Sequence, residues 1–467
     1  MQVQIKFLGG AKSVTGSRYL LEIDHQKFLV DCGLFQGLKE LRLRNWDEFP
    51  IDPAEIHAVI LTHAHIDHTG YLPKLVKEGF SGRIYCTYPT LDLTKILLKD
   101  SAKLQEEEAE YAQRKGYSRH AKPQPLYTVG DAEKVFNLLE PVEMETPTQL
   151  VNGVTFTFFN AGHILGAAIL KIKVKGKNQE KKIVFSGDLG RFQDPIFNPP
   201  ARIPFADILL MESTYGDRKQ PTLHPEDELG RAIRETLRNG GVAVIPAFAV
   251  GRTQMILFYL HLLLHKGKIP NVPIYVDSPM AIDVTKLYKQ FMSYHRLGPL
   301  FEEEEEHNPF HHPNLHYYQT QEASISLNEI RSNAIIISAS GMATGGRILH
   351  HLYHRLPNEH DSIIFVGYQA EGTRGRRILD GEATSRMYGV EVPVKAKTYY
   401  IEGLSAHADQ DELMEWAAGF TSRPKITFLV HGEKNASEVL AFKLKHELDW
   451  HPIIPDYLES FVLFDGI

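Results

Sequence analysis

The 467-residue sequence predicts an α/β protein in two parts, one inserted into the other. Three observations carry this. Short strands broken by glycine turns fill residues 1–214, and continuous apolar runs spaced for intervening helices fill 215–395. The short-strand pattern then returns over 396–467. In the first part Ile5–Leu8, Tyr19–Ile23 and Phe28–Val30 read as strands, the last ending at Asp31-Cys32-Gly33. Ala58–Leu61 is a short buried strand, and Thr90–Gln113 carries a long helical pattern rich in Leu, Lys and Glu. Val154–Phe158, Ala168–Val174 and Lys182–Phe185 are further strands, the last leading into Ser186-Gly187-Asp188. So many short strands with few helices suggest a layered, sheet-rich fold. Past Met211, Val242–Pro246, Ile274–Asp277, Ala334–Ile337 and Ser362–Val366 are apolar runs that mark a parallel sheet covered on both faces. Thr398–Ile401 and Ile426–Val430 are expected to resume the first part.

Composition narrows the class. A hydrophobic fraction of 43% and a charged fraction of 23% are those of a soluble globular protein. No run approaches the roughly 20 apolar residues of a membrane span, and the first residues alternate like a strand, so neither membrane insertion nor a leader is expected. Cys32 and Cys86 give no disulfide framework, which points to a reducing cytoplasm. The net charge of −7 argues against broad coating of nucleic acid but leaves room for a local basic groove.

The densest chemistry lies in His63-Ala64-His65-Ile66-Asp67-His68, which follows the strand Ala58–Leu61. Neutral imidazoles and a carboxylate at a strand exit suit Zn²⁺, and open sites of this kind generate hydroxide near neutral pH. Four more residues stand where a strand stops: Asp31, His163, Asp188 and His431. Together they supply donors for two metal ions.

His63-x-His65-x-Asp67-His68, followed by His163 and Asp188, resembles the dinuclear hydrolase branch of the metallo-β-lactamase superfamily. Glu212 in Met211–Gly216, His407 in Gly403–Asp409 and His431 in Leu429–Glu433 resemble the three motifs of the β-CASP nucleases. The pattern is similar to compact prokaryotic homologues of the pre-mRNA 3′-end cleavage and polyadenylation endonuclease subunit. The resemblance implies a metallo-β-lactamase αββα sandwich with an inserted α/β parallel-sheet β-CASP domain. It implies two Zn²⁺ per chain, with Mn²⁺ as an alternative. His63, His65 and His163 would hold one ion, Asp67, His68 and His431 the other, with Asp188 bridging and Asp31 supporting from behind. Histidine at position 431 is associated with RNA-directed members, so a ribonuclease acting on single-stranded RNA is implied. Endonuclease and 5′-to-3′ exonuclease action both stay open, as does a homodimer.

Phosphodiester hydrolysis also needs proton transfers. Asp67 or Asp188 would accept a proton from the attacking water, and His407 would protonate the leaving oxygen. Glu212 would orient His407 and keep it protonated. Three Gly-rich turns after apolar strands offer backbone N–H groups and arginines to phosphate: Arg252, then Ser340 with Arg347, then Arg374 with Arg376. Ser405 in the His407 loop is grouped with them as substrate-binding. A small-molecule metallohydrolase on the same scaffold is the alternative, and it leaves these three turns unexplained. A catalytically silent subunit would have lost ligands, and this chain keeps them. The glutamates at 302–306 are expected to be a solvated stretch. His307, His311, His312 and His316, with His350, His351 and His354, are expected at the surface or an interface. An aromatic content of 10% is ordinary, so no residue is assigned to base stacking.

Overall fold

A computed structural model describes residues 2–115, 123–177, 179–220, 224–302, 308–367, 369 and 372–466. The chain divides into two compact units: Met1–Lys219 with His407–Ile467, and Gln220–Ala406. The glutamates from 303 onward, His307, Tyr368, Ala370 and Glu371 lie outside the described residues.

The first unit opens with β1 (Val3–Phe7), β2 (Tyr19–Ile23), β3 (Gln26–Val30), β4 (Ile56–Ile60), β5 (Arg83–Cys86) and β6 (Leu139–Pro141). It continues with β7 (Thr148–Val151), β8 (Val154–Asn160), β9 (Ala168–Lys175), β10 (Glu180–Phe185) and β11 (Ile208–Glu212). The second unit holds β12 (Val242–Pro246), β13 (Ile274–Asp277), β14 (Leu315–Tyr317), β15 (Ala334–Ser338) and β16 (Ser362–Phe365). It also holds the hairpin of β17 (Thr384–Met387) and β18 (Val390–Pro393), and then β19 (Lys397–Tyr400). β20 (Ile426–Val430) and β21 (Ser460–Phe464) return to the first.

Two sheets form the first unit, in the orders β21-β1-β2-β3-β4-β5-β6 and β20-β11-β10-β9-β8-β7. Their inner faces share one core. Val3, Ile5 and Phe7 alternate into it from β1, and Val154, Phe156 and Phe158 from β8, as the two-residue period of a strand requires. The outward residues Leu29, Val59 and Ile84 bury under helices Leu72–Lys77, Tyr88–Lys115 and Val129–Phe136. Thr128 and Asp131 cap the last of these reciprocally. Helix Lys434–Leu448 packs by β20 and against helix Gln410–Ala418. The layering is helix, sheet, sheet, helix. β11 and β20 pair in parallel with Glu212 opposite Val430, although the whole second unit separates them in sequence.

The second unit is a six-stranded parallel sheet, β14-β13-β15-β12-β16-β19. Every residue of β12, β15 and β16 is buried, which explains their unbroken apolar character. β19 departs from the expectation that it resumes the first part. It pairs with β16, and its Tyr399 hydroxyl donates to Glu235 within the same unit at 2.7 Å. His351 is a second correction: it is buried, with Nε2 2.7 Å from Asp277 Oδ2, whereas His350 and His354 are exposed as expected. Among the described residues no helix is long and apolar enough to cross a membrane.

Candidate metal centre

Most chemical residues of the first unit lie at or just beyond the end of a strand. Asp31 follows β3 and His431 follows β20, both with positive φ, at 57° and 46°. His63 lies just beyond β4, and the next turn, Ile66–Thr69, is helical, which folds His65, Asp67 and His68 back over it. His163 follows β8 and Asp188 follows β10. Their two loops touch so closely that a Cβ on Gly190 would lie 1.8 Å from the Gly162 carbonyl oxygen, so only glycine fits there.

The donor atoms converge. His63 Nε2 and His163 Nε2 lie 3.1 and 3.2 Å from His65 Nδ1, and 3.4 and 3.7 Å from Asp188 Oδ2. Beside them, His68 Nε2 lies 3.8 Å from Asp67 Oδ2 and 3.4 Å from Asp188 Oδ1. His431 Nε2 lies 3.7 Å from Asp67 Oδ2 and 3.6 Å from Asp188 Oδ2. A tetrahedral ion with ligands at roughly 2.0–2.1 Å would space them about 3.3 Å apart, so the cluster fits divalent metal. His68 Nε2 and Asp188 Oδ1 are buried without a hydrogen-bond partner, a costly state that an ion would relieve.

The outward nitrogens of these rings are occupied. His68 Nδ1 lies 2.8 Å from Asp31 Oδ2, His431 Nδ1 2.8 Å from Ser17 Oγ, and His63 Nδ1 3.1 Å from Thr62 Oγ1. Thr62 also donates its N–H and its hydroxyl to Asp31. Such contacts fix tautomer and ring orientation. Sequence reasoning missed Ser17 and Thr62. Thr62 had a signal, adjacency to His63; Ser17 is brought to His431 only by tertiary folding.

Electrostatics point the same way. Burial and mutual repulsion hold His63 well below its usual range, burial with repulsion from His431 does the same to His68, and burial lowers His431 to about 4. Burial pushes Asp31 up to about 8 and Asp67 to about 6, and raises Asp188 well above the usual carboxylate range, with Glu212 and Asp67 adding to it. Neutral imidazoles are the ligating form, and crowded buried carboxylates call for a cation.

His407 stands at the rim. Its Nε2 lies 4.0 Å from Asp188 Oδ2, and its Nδ1 3.4 Å from Glu212 Oε1. Glu212 is fully buried, and Leu189 N–H donates to it at 2.6 Å. Burial raises the Glu212 pKa, but the charge and hydrogen bond of His407, with the Thr214 side chain, outweigh it and hold the carboxyl below its usual range.

The substrate-binding expectations fare differently. The Arg347 guanidinium is braced within its unit: it donates to Asp277 at 2.8 Å and to the Tyr318 and Gln319 carbonyls at 3.0 and 2.5 Å. Arg374 likewise donates to the carbonyls of Ala343 and Arg386, and Arg376 to both oxygens of Asp380. Ser340 Oγ accepts the Thr344 N–H within its own loop. Arg252 opens helix Arg252–His265, its Nε 3.6 Å from where a Cβ on Gly367 would sit. Ser405 is half-buried in the loop before His407.

Fold and donor set define a metal-dependent hydrolase of the metallo-β-lactamase superfamily. Residues 20–203 match the metallo-beta-lactamase superfamily domain, 253–378 the Beta-Casp domain, and 391–455 the Zn-dependent metallo-hydrolase RNA specificity domain. The chain is 38% identical to "Ribonuclease TTHA0252" of Thermus thermophilus, across 91% of this chain and 92% of that protein. It is 32% identical to "Transcription termination factor FttA" of Methanosarcina mazei, across 96% of this chain and 69% of that one. It is 31% identical to an "RNase J-like protein" of Methanocaldococcus jannaschii, across 97% and 98%. A crystal structure of a protein of unknown function from Enterococcus faecalis shares the fold, with a TM-score of 0.55 at 14% identity over 99% of this chain and 100% of that one. The chain belongs to the β-CASP ribonuclease family.

Proposed function

We propose that the chain hydrolyses phosphodiester bonds of single-stranded RNA with two Zn²⁺ ions. His63, His65 and His163 would hold one, Asp67, His68 and His431 the other, and Asp188 would face both. The observation that carries this reading is the convergence of these seven donors beside His407. Bound ions of this kind neutralise charge on phosphate oxygens and acidify water. Asp67, whose side chain keeps 21% of its exposure, accepts the proton of the attacking water. His407 delivers a proton from Nε2 to the leaving oxygen. Glu212 is a positioning residue: it accepts a hydrogen bond from His407 Nδ1 and, through the Leu189 N–H, ties His407 to the Asp188 loop. RNA as the substrate is supported by the RNA specificity domain match, which spans His407 and His431, and by the relatives' names. Two buried free cysteines accord with a cytoplasmic setting.

The test is cleavage of matched single-stranded RNA and DNA oligonucleotides labelled at either end, with Zn²⁺, with Mn²⁺ and with a chelator. RNA is expected to be cut, DNA spared, and the chelator to abolish cutting; the product ladder separates endonuclease from exonuclease action. An enzyme that binds metal yet cuts neither polymer contradicts the reading.

A further inference from the structure

In a parallel sheet, ligands gather where neighbouring strands send their connections in opposite directions. The second unit has such a point between β12 and β15. The chain leaves β12 for β13, on the far side of β15, and leaves β15 for β16, on the far side of β12. Right-handed crossovers then carry helices Arg252–His265 and Ile348–Arg355 to opposite faces, so the two connections part at these neighbouring strand ends. Pro246 pairs with Ser338 at that edge, and the Ala247 N–H donates to the Ser338 carbonyl.

Phe248 stands at this edge, two residues past the end of β12. Ala247, Ala249 and Val250 around it are buried at 0, 3 and 6% exposure, whereas Phe248 is 38% exposed. Its ring lies against the loop after β15: a Cβ on Gly341 would sit 2.8 Å from the ring carbon Cδ2. Both sides of the contact are fixed. Thr253 N–H and hydroxyl bond the Phe248 carbonyl at 3.1 and 2.9 Å. The loop beneath is held by Gln369 donating to the Gly341 carbonyl, by Gly375 N–H to that of Met342, and by Arg374 to that of Ala343. Arg252, four residues on, opens the helix that follows this turn. A rigid, accessible aromatic ring is the chemistry that receives an unpaired nucleobase.

We propose that Phe248 is a stacking platform for one base of single-stranded RNA at the carboxyl edge of the second unit's sheet. The inference rests on the ribonuclease reading above and names the residue that grips the substrate's bases. Stacking tolerates any base, so the contribution is to affinity along the strand, without sequence preference.

The test measures binding of a labelled phosphorothioate RNA, which resists hydrolysis, to the metal-loaded full chain by fluorescence anisotropy. Phe248→Ala is expected to raise Kd roughly 5- to 100-fold, and Phe248→Tyr and Phe248→Trp to restore it. Replacing bases by abasic spacers is expected to weaken wild-type binding by a similar factor and the alanine variant little further. In Phe248→Trp, RNA is expected to quench the new tryptophan, a readout that holds even if the alanine variant fails to fold. Wild-type binding left unchanged by Phe248→Ala, or a Phe248→Trp that RNA does not quench, overturns stacking while the ribonuclease reading stands. A wild-type chain that binds no RNA overturns both.

Discussion

At the scale of single residues, the proposed centre gives Asp67 a part in both metal binding and proton transfer, whereas Asp31 would only support a ligand and His407 would only move a proton. Asp31 and His407 test this division of roles from opposite sides. Asp31 accepts from Thr62 twice and faces His68 Nδ1 at 2.8 Å. In Asp31→Asn one oxygen becomes an N–H₂ that repels the proton on His68 Nδ1, so His68 loses its orientation. Metal affinity is expected to fall about 10- to 100-fold, read as metal retained per chain after dialysis. His407→Ala is expected to keep full metal content and lose about 10²- to 10⁴-fold in kcat. Equal loss of metal in both variants contradicts the division of roles. The proposed ligands were legible because the hexapeptide and the other donors lie at or just beyond apolar strands, and a family resemblance put them together. Ser17 was not, since its partner His431 stands 414 residues away.

At the scale of elements, the second unit shows why local pattern misled. A glycine-rich turn carrying an arginine looks the same whether the guanidinium faces a phosphate or an internal carboxylate. Arg347 turned inward because Asp277, at the end of β13, needs partners: it is fully buried and accepts from Arg347, Ser324 and His351. Burial pulls its pKa up, but the His351 and Ser324 hydrogen bonds and the Arg347 contact outweigh that and hold it below the usual range. A carboxyl depressed in the folded state stabilises above its unfolded pKa near 4, and that contribution is lost as pH falls through the folded value. Asp277→Asn is therefore expected to cost about 3 kcal/mol at pH 7, with the gap to wild type narrowing below about pH 4. Urea unfolding across that range checks it, and a gap that stays constant with pH contradicts it. β19 teaches the same lesson: its residues read as a strand, but which sheet takes it depends on pairing with β16.

At the scale of the molecule, the proposed ligands draw on strands far apart in the chain yet belong to one unit. Asp31, His63 and His68 follow strands of one sheet; His163, Asp188 and His431 follow strands of the other. Bound metal would therefore tie the two sheets together at their rim, and His431 reaches the site only because β20 pairs with β11 after the whole of residues 220–406 has been traversed. A ligand that binds the folded state alone stabilises it by about 4 kcal/mol at a thousandfold excess over Kd. Removing the metal withdraws that energy from the segments that hold it. Hydrogen exchange followed by mass spectrometry is expected to accelerate on chelation over residues 60–70, 160–166, 185–190 and 427–433, which carry the donors and their strand ends. The buried strands β12, β15 and β16 take no part in the centre, so their exchange is expected to hold nearly constant. Uniform acceleration over both units would mean that the ion supports the chain globally, and the local account of the centre would have to be abandoned. Protection lost at the strand ends alone would locate the metal among these seven donors without any appeal to activity.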